Sequence, residues 1–376
     1  MDILGPDVIV LWSVLLARFI LPLFIPKYPL PAILLCFLLD AVDQAVLQPF
    51  TGFGISAYQS YDKALDIFYL SIAMLTTLRN WNNFHAVLIA RALFYLRLLG
   101  VLVFELTGYR FFLLLLPNAF EYFFIFYEVI RGYWSTDRID RSFLIRGAIL
   151  IWFLIKIPQE YWLHVARLDV SDIVKNWIFR NPVSLLISEV ATHLIILTVV
   201  LILISACIII LRRILRPVHH PLVLAAAPLP ENIDESWERD RLILYGWKLF
   251  DRHLLEKVLL VGFISVIFAR MLPVMNTSPV ELFAGIAVFV LVNTLLRLQI
   301  VQRGRSVESV VISFILLAGI NALLAFLAHF LIKRGILSLP GQQMLFFLLL
   351  LTLIVTLYDR WRPVFEVRFQ SELFKY

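Results

Sequence analysis

The sequence predicts an all-α fold: a polytopic membrane protein of about eleven transmembrane helices (range 9–11), with an exterior N-terminus and a cytoplasmic C-terminus. Three observations carry that prediction. Of the 376 residues, 61% are hydrophobic and 16% charged, with 31 phenylalanines, more apolar side chain than the surface of a water-soluble domain could cover. The apolar residues fall in runs of about 20, the length an α-helix needs to cross a ~30 Å hydrocarbon core. Most of the 33 Lys and Arg residues fall on alternate connections, as the positive-inside rule demands.

The first run, residues 8–26, follows a start that carries Asp2 and Asp7 but no base, and no small-residue cleavage site comes after it. It is expected to be a retained span rather than a removable signal. The second, 29–48, is interrupted by Asp40, Asp43 and Gln44, and the third, 64–79, is short; these two set the lower bound on the count. Spans over 84–106, 110–130 and 142–162 follow. Over 166–180, Val170, Ile173, Val174, Trp177 and Ile178 oppose Asp172, Lys175 and Asn176, the pattern of an exterior helix lying at the headgroups. A seventh span at 183–211 closes an N-terminal bundle of residues 1–211.

Residues 212–254 form a basic cytoplasmic loop that contains Arg212, Arg213, Arg216, Arg239 and Arg241 and an amphipathic stretch over 241–254. The last four spans, 255–274, 279–299, 309–332 and 342–358, make a C-terminal bundle over 255–358. A basic aromatic cytoplasmic tail, 359–376, carries Trp361, Phe365 and Phe369. Trp81, Trp134, Trp162, Trp177, Trp237 and Trp361 stand near span ends, where an aromatic belt is expected.

Several function classes drop out. The net charge is +6, but the bases are scattered between apolar runs, so nucleic-acid binding is not expected. Cys36 and Cys207 stand alone inside apolar runs, which supports neither a disulfide framework nor a zinc cluster. There is no phosphate-cradling glycine loop, zinc-protease helix signature or nucleophile elbow. The partner that the composition implies is the lipid bilayer, and the expected location is a plasma (inner) membrane.

Ionisable side chains inside spans are the functional candidates, because each costs at least ~2.5–3.5 kcal/mol at mid-bilayer. They concentrate in the first two hundred residues. Asp40 and Asp43 share a helix face at i, i+3, and Asp62 and Asp66 do so at i, i+4. If the second span reaches the exterior near 48 and the third begins near 62, Asp43 and Asp66 lie at similar depth, roughly 6–8 Å below the outer surface. Carboxylates so placed repel unless some are protonated or a cation sits among them: Lys63, Arg97, Arg110, Lys156 or a divalent metal ion. Glu105 and Arg110 flank an exterior turn, and Glu121 sits near mid-span one turn after Asn118.

The catalytic candidates are therefore Asp40, Asp43, Asp62, Asp66 and Glu121, and the substrate-binding candidates Arg97, Glu105 and Arg110. The aspartate spacing is like that of intramembrane prenyltransferases. The asparagine that precedes those motifs is missing, and both pairs lie within the first 66 residues instead of in two separated repeats, so no family is assigned. Three functions compete: an enzyme or binding protein for a lipid-linked small molecule, a proton-coupled transporter or channel, and a noncatalytic subunit that docks membrane-protein partners through its last spans and tail.

Overall fold

The computed structural model describes residues 6–50, 55–109, 111–133, 139–161, 252–271, 285–295, 310–331 and 341–369, together with Ile209 and Arg213. Among the described residues the regular elements are all helical, with no strand. Three helices are long and apolar enough to cross a membrane by length and composition: Phe84–Thr107, Phe111–Tyr133 and Arg141–Gln159. The segments 166–180 and 221–251 lie outside the described residues, as does 183–211 apart from Ile209.

Helix α1 (Pro6–Ile20) passes into a 3-10 turn over Leu21–Phe24 with Pro22 in its first positions. Helices α2 (Pro29–Phe50) and α3 (Ile55–Asn80) follow. Helix α3 begins well before the apolar run at 64, because Tyr58, Gln59, Ser60, Asp62 and Lys63 remain helical. Hydropathy marks where a helix becomes apolar, whereas hydrogen bonding sets where it begins. Helix α4 (Phe84–Thr107) starts on Asn83, whose side chain accepts from the Ala86 N–H at 3.1 Å. It ends on Gly108 at φ 75°, where the glycine N–H donates to the Phe104 carbonyl. A left-handed residue there favours glycine.

The predicted fifth span is broken. Helix α5 (Phe111–Leu115) stops, residues 116–118 unwind at Pro117, and helix α6 (Ala119–Tyr133) resumes. Gly100 of α4 permits the break to lie close: a Cβ there would meet the Leu116 Cβ at 2.8 Å and the Leu116 carbonyl at 2.9 Å. The sixth is continuous but irregular. Helix α7 (Arg141–Leu150), capped by Asp140, widens into a π segment at Ile151–Lys156 before helix α8 (Ile157–Glu160). Pro158 has no N–H to donate back and crowds the carbonyl four residues earlier, and a widened turn relieves both problems.

Beyond these come α9 (Arg252–Met271), α10 (Gly285–Leu295), α11 (Val310–Leu331) and α12 (Gly341–Arg368). Helix α12 packs on α3, α9 and α11, α9 packs on α4, and α6 packs on α2 and α4. The core is aromatic: Phe68, Trp81, Phe94, Phe120, Phe123, Phe124 and Tyr127 are almost fully buried. Phe153 and Leu154 of α7–α8 and Ile312 and Ile315 of α11 are more than half exposed, which suits a lipid surround.

One end of the bundle collects the end of the α1 turn, the α3–α4 connection, the end of α6, the start of α7, the start of α9 and the end of α12. Arg79 and Asn80 donate to the Pro26 carbonyl, Asn83 to the Ile139 carbonyl and Arg368 to the Trp81 carbonyl. Lys257 meets Asp359 at 2.8 Å, and Glu256 pairs with Arg91 and Arg362.

Two groups of aromatics are buried at this basic end. The tail is helical as far as Arg368, because α12 runs through Pro363. Its aromatics lie against their own chain, with Phe84 packed on Phe365 and Phe369. Trp81 is not a lipid anchor: it is buried and donates Nε1–H to Glu128 at 2.6 Å. The apolar cost of exposing either group to water or headgroups outweighs its interfacial preference once the core can receive it.

Candidate functional site: a charge-balanced centre within the bundle

Arg18 of α1 is the hub. It is only 5% exposed, and its Nη2 donates to Asp40 of α2 at 2.5 Å and to Asp66 of α3. The two carboxyl groups are also within hydrogen-bonding reach of each other. On the adjoining face Glu121, 3% exposed, begins α6. Its Oε1 accepts from the Tyr69 hydroxyl at 2.6 Å and its Oε2 from the Asn118 side-chain N–H at 3.0 Å. Tyr69 lies one turn beyond Asp66 on α3 and so joins the two halves.

Two more cations complete the centre. Arg97 of α4 acts electrostatically on both Asp66 and Glu121, while its Nη1 is buried with no hydrogen-bond partner among the described residues. Lys156, 4% exposed, ends the π segment. Its Nζ donates to Gln159 at 3.0 Å, lies 4.3 Å from the centre of the Tyr122 ring and acts electrostatically on Glu121. Tyr122 in turn donates to Gln159 at 3.2 Å. Among the described residues, when every group is ionised, Arg18, Arg97 and Lys156 balance Asp40, Asp66 and Glu121.

The helices place these groups at one level. At 1.5 Å per residue, Asp66 lies about 21 Å from Asn80, Arg97 about 20 Å from Phe84, Glu121 about 18 Å from Tyr133 and Lys156 about 22 Å from Arg141. Each reference residue stands at the basic end, so the charges form one layer about 20 Å from that end.

Asp40 and Asp66 stand nearly equidistant from the connection between α2, which runs to Phe50, and α3, which starts at Ile55, and both bond to Arg18. Asp43 and Asp62 have helical backbones, but their side chains and that of Lys63 lie outside the described residues, as does Arg110. Glu105 is not in the layer: it stands eight residues beyond Arg97 on α4, about 12 Å farther along the axis.

A divalent cation at the aspartate pair does not fit the described geometry. The space between Asp40 and Asp66 holds the Arg18 guanidinium, and among the described residues no group of three or more His, Cys, Asp and Glu side chains converges on a metal position. Arg18 and Tyr69 are the site residues that sequence reasoning missed. The signal for Arg18 was a single base inside an otherwise apolar run, and its partner could not be read without the α2–α3 register. Arg91 pairs with Glu256, whereas Arg97 acts electrostatically on Asp66 and Glu121.

Asn293 donates to Asn321 at 3.0 Å, and Asn321 donates to Thr352 at 3.0 Å, a ladder that joins α10, α11 and α12. No protein-family model matches the chain, and neither a curated protein nor a solved structure is similar to it at a significant level.

Proposed function

We propose that this chain is an integral plasma-membrane protein of about eleven spans, with its N-terminus outside and its C-terminus in the cytoplasm, whose polar centre opens to the exterior leaflet and binds a lipid-linked substrate for chemical processing. In this reading Arg97 binds an anionic group of the substrate, and Asp66 and Glu121 act as acid and base. Arg18 and Asp40 hold Asp66 in place. Asp43, Asp62, Glu105 and Arg110 line the exterior approach. The gathering of Arg79, Arg131, Arg360, Arg362 and Arg368 at the opposite end supports the orientation.

The observation that carries the reading is the Arg97 Nη1, a buried charged donor with no hydrogen-bond partner among the described residues, beside two acids already engaged elsewhere. A network that served only to hold helices together would satisfy it, because an unmet buried donor costs about 1–3 kcal/mol. An anionic oxygen of a substrate recovers that loss. The test is native mass spectrometry of the protein extracted from its own membranes in mild detergent. Wild type is expected to carry an anionic lipid-linked adduct that Arg97→Gln loses and Glu128→Gln retains; identical adduct profiles in all three would overturn the reading.

A second reading, a proton-coupled transporter, draws support from the adjacent Asp40 and Asp66 carboxyl groups and from the break between α5 and α6, since discontinuous helices serve transport sites. Proteoliposome flux that ignores a pH gradient counts against it.

A further inference from the structure

Three guanidinium groups converge on the short α3–α4 connection at the basic end. Arg79, in the last turn of α3, donates Nη1 to the Pro26 carbonyl at 3.1 Å and to the Asn80 side chain at 2.6 Å. Arg131, near the end of α6, donates Nη1 to the Asn80 carbonyl at 3.0 Å. Arg368, which ends α12, donates Nη1 to the Trp81 carbonyl at 2.8 Å. Asn80 and Trp81 are consecutive, with Cα atoms about 3.8 Å apart, so Arg131 and Arg368 sit side by side across one peptide, and Arg79 anchors the residue before it.

Among the described residues the carboxylates do not balance this arrangement. Glu128 accepts from Arg131 at 2.6 Å and from the Trp81 indole at 2.6 Å, so both of its oxygens are engaged. Among the described residues neither Arg79 nor Arg368 forms an ion pair with an acid. Burial, together with Arg79 and Arg131 beside it, pushes Arg368 down to about 10. Three long side chains are thus held in place by backbone carbonyls, mutually repelling and half-buried, with further N–H groups beyond those the carbonyls use. Arginine forks match the oxygens of a phosphate in pairs, and the headgroup level of the leaflet at this end is where such phosphates lie.

We infer that Arg79 and Arg368, braced by Arg131, form a phosphate-binding site at the basic end of the bundle that takes the headgroup of an anionic lipid. The site is separate from the intramembrane centre, about 20 Å away along the helices, and stands whether or not the lipid-linked substrate proves correct. Exposed Lys27, next to Pro26, adds a flexible cation at its rim.

The test uses the full chain in a neutral detergent, titrated with phosphatidylglycerol, with phosphatidylcholine or with inorganic phosphate alone, and read by thermal shift and by native mass spectrometry. Wild type is expected to bind phosphatidylglycerol at least tenfold more tightly than Arg79→Gln/Arg368→Gln, which keeps polar side chains without the charge or the guanidinium fork. Phosphatidylcholine is expected to protect weakly. Equal phosphatidylglycerol affinity in wild type and variant overturns the site, and protection by inorganic phosphate as strong as that by the lipid overturns the lipid as its source. Should the double variant not purify, Arg368→Gln alone is expected to weaken binding about threefold, and an unchanged affinity there refutes the inference equally.

Discussion

Replacing Arg18 with methionine tests how the centre is held together. The guanidinium is 4% exposed and bonds to two carboxylates, each about one third exposed. Breaking a buried pair by removing one partner destabilises a protein by about 3–5 kcal/mol, because the remaining charge stays behind in a poor solvent. Here two carboxylates stay behind facing each other, but their partial exposure places the loss at the lower end, about 3 kcal/mol. At roughly 1–2 °C per kcal/mol for a chain this large, Arg18→Met is expected to lower the melting temperature by about 3–6 °C in a detergent thermal-shift assay. Neutralising the acids as well, in Arg18→Met/Asp40→Asn/Asp66→Asn, removes the repulsion and is expected to recover most of that loss. A single variant within about 1 °C of wild type, or a triple variant no better than the single, would refute the claim that these three side chains face one another.

Other outcomes follow from the same structure. Glu121→Gln keeps an acceptor for Tyr69 and a partner for Asn118, so it is expected to fold near wild-type stability while abolishing substrate turnover or proton coupling; unaltered function in reconstituted membranes counts against its role. Gly100→Ala forces a methyl into Leu116 and is expected to cost about 1–3 kcal/mol through overpacking, read as a lower melting temperature. Asn321→Leu cuts the ladder through α10, α11 and α12 and is expected to cost about 0.6–1.7 kcal/mol, the range of interhelical hydrogen bonds in membranes. At the exposed start of α7, the Ser142 hydroxyl and the Phe143 N–H hold the Asp140 carboxyl below its usual range. Because its folded value is depressed, its stabilisation is present above the unfolded value of about 3.9 and fades as the pH falls through the folded one. Amide exchange at Phe143, compared with Asp140→Asn at each pH, is expected to show wild type losing relative protection on acidification and the variant keeping it.

The sequence made the helical, apolar character plain because the runs near 84–106 and 142–162 are long and carry only three charged residues each. It also singled out Asp40, Asp66 and Glu121, which the structure places in one layer, because ionisable side chains are costly in lipid and called for a reason. The partners were harder to read. Asp66 pairs with Asp40 because α3 keeps nine polar-rich residues helical before its apolar run, and hydropathy is blind to that extension. Arg18, Tyr69 and Lys156 come from three separate elements, and only the packing of α1, α3 and the π segment brings them to one level. The burial of Trp81 and Phe365 was likewise illegible, because the same aromatic character suits both an interface and a core, and the choice rests on whether α12 runs on to cover the α3–α4 connection.

The most direct test of the central claim is a cryo-electron-microscopy map of the protein in lipid nanodiscs. It is expected to show the Arg18 guanidinium bridging Asp40 and Asp66, with Arg97, Glu121 and Lys156 in the same layer about 20 Å from the basic end and density for an anionic headgroup at Arg97. A map that places Arg18 away from both aspartates, or spreads these charges over different depths, would contradict the account.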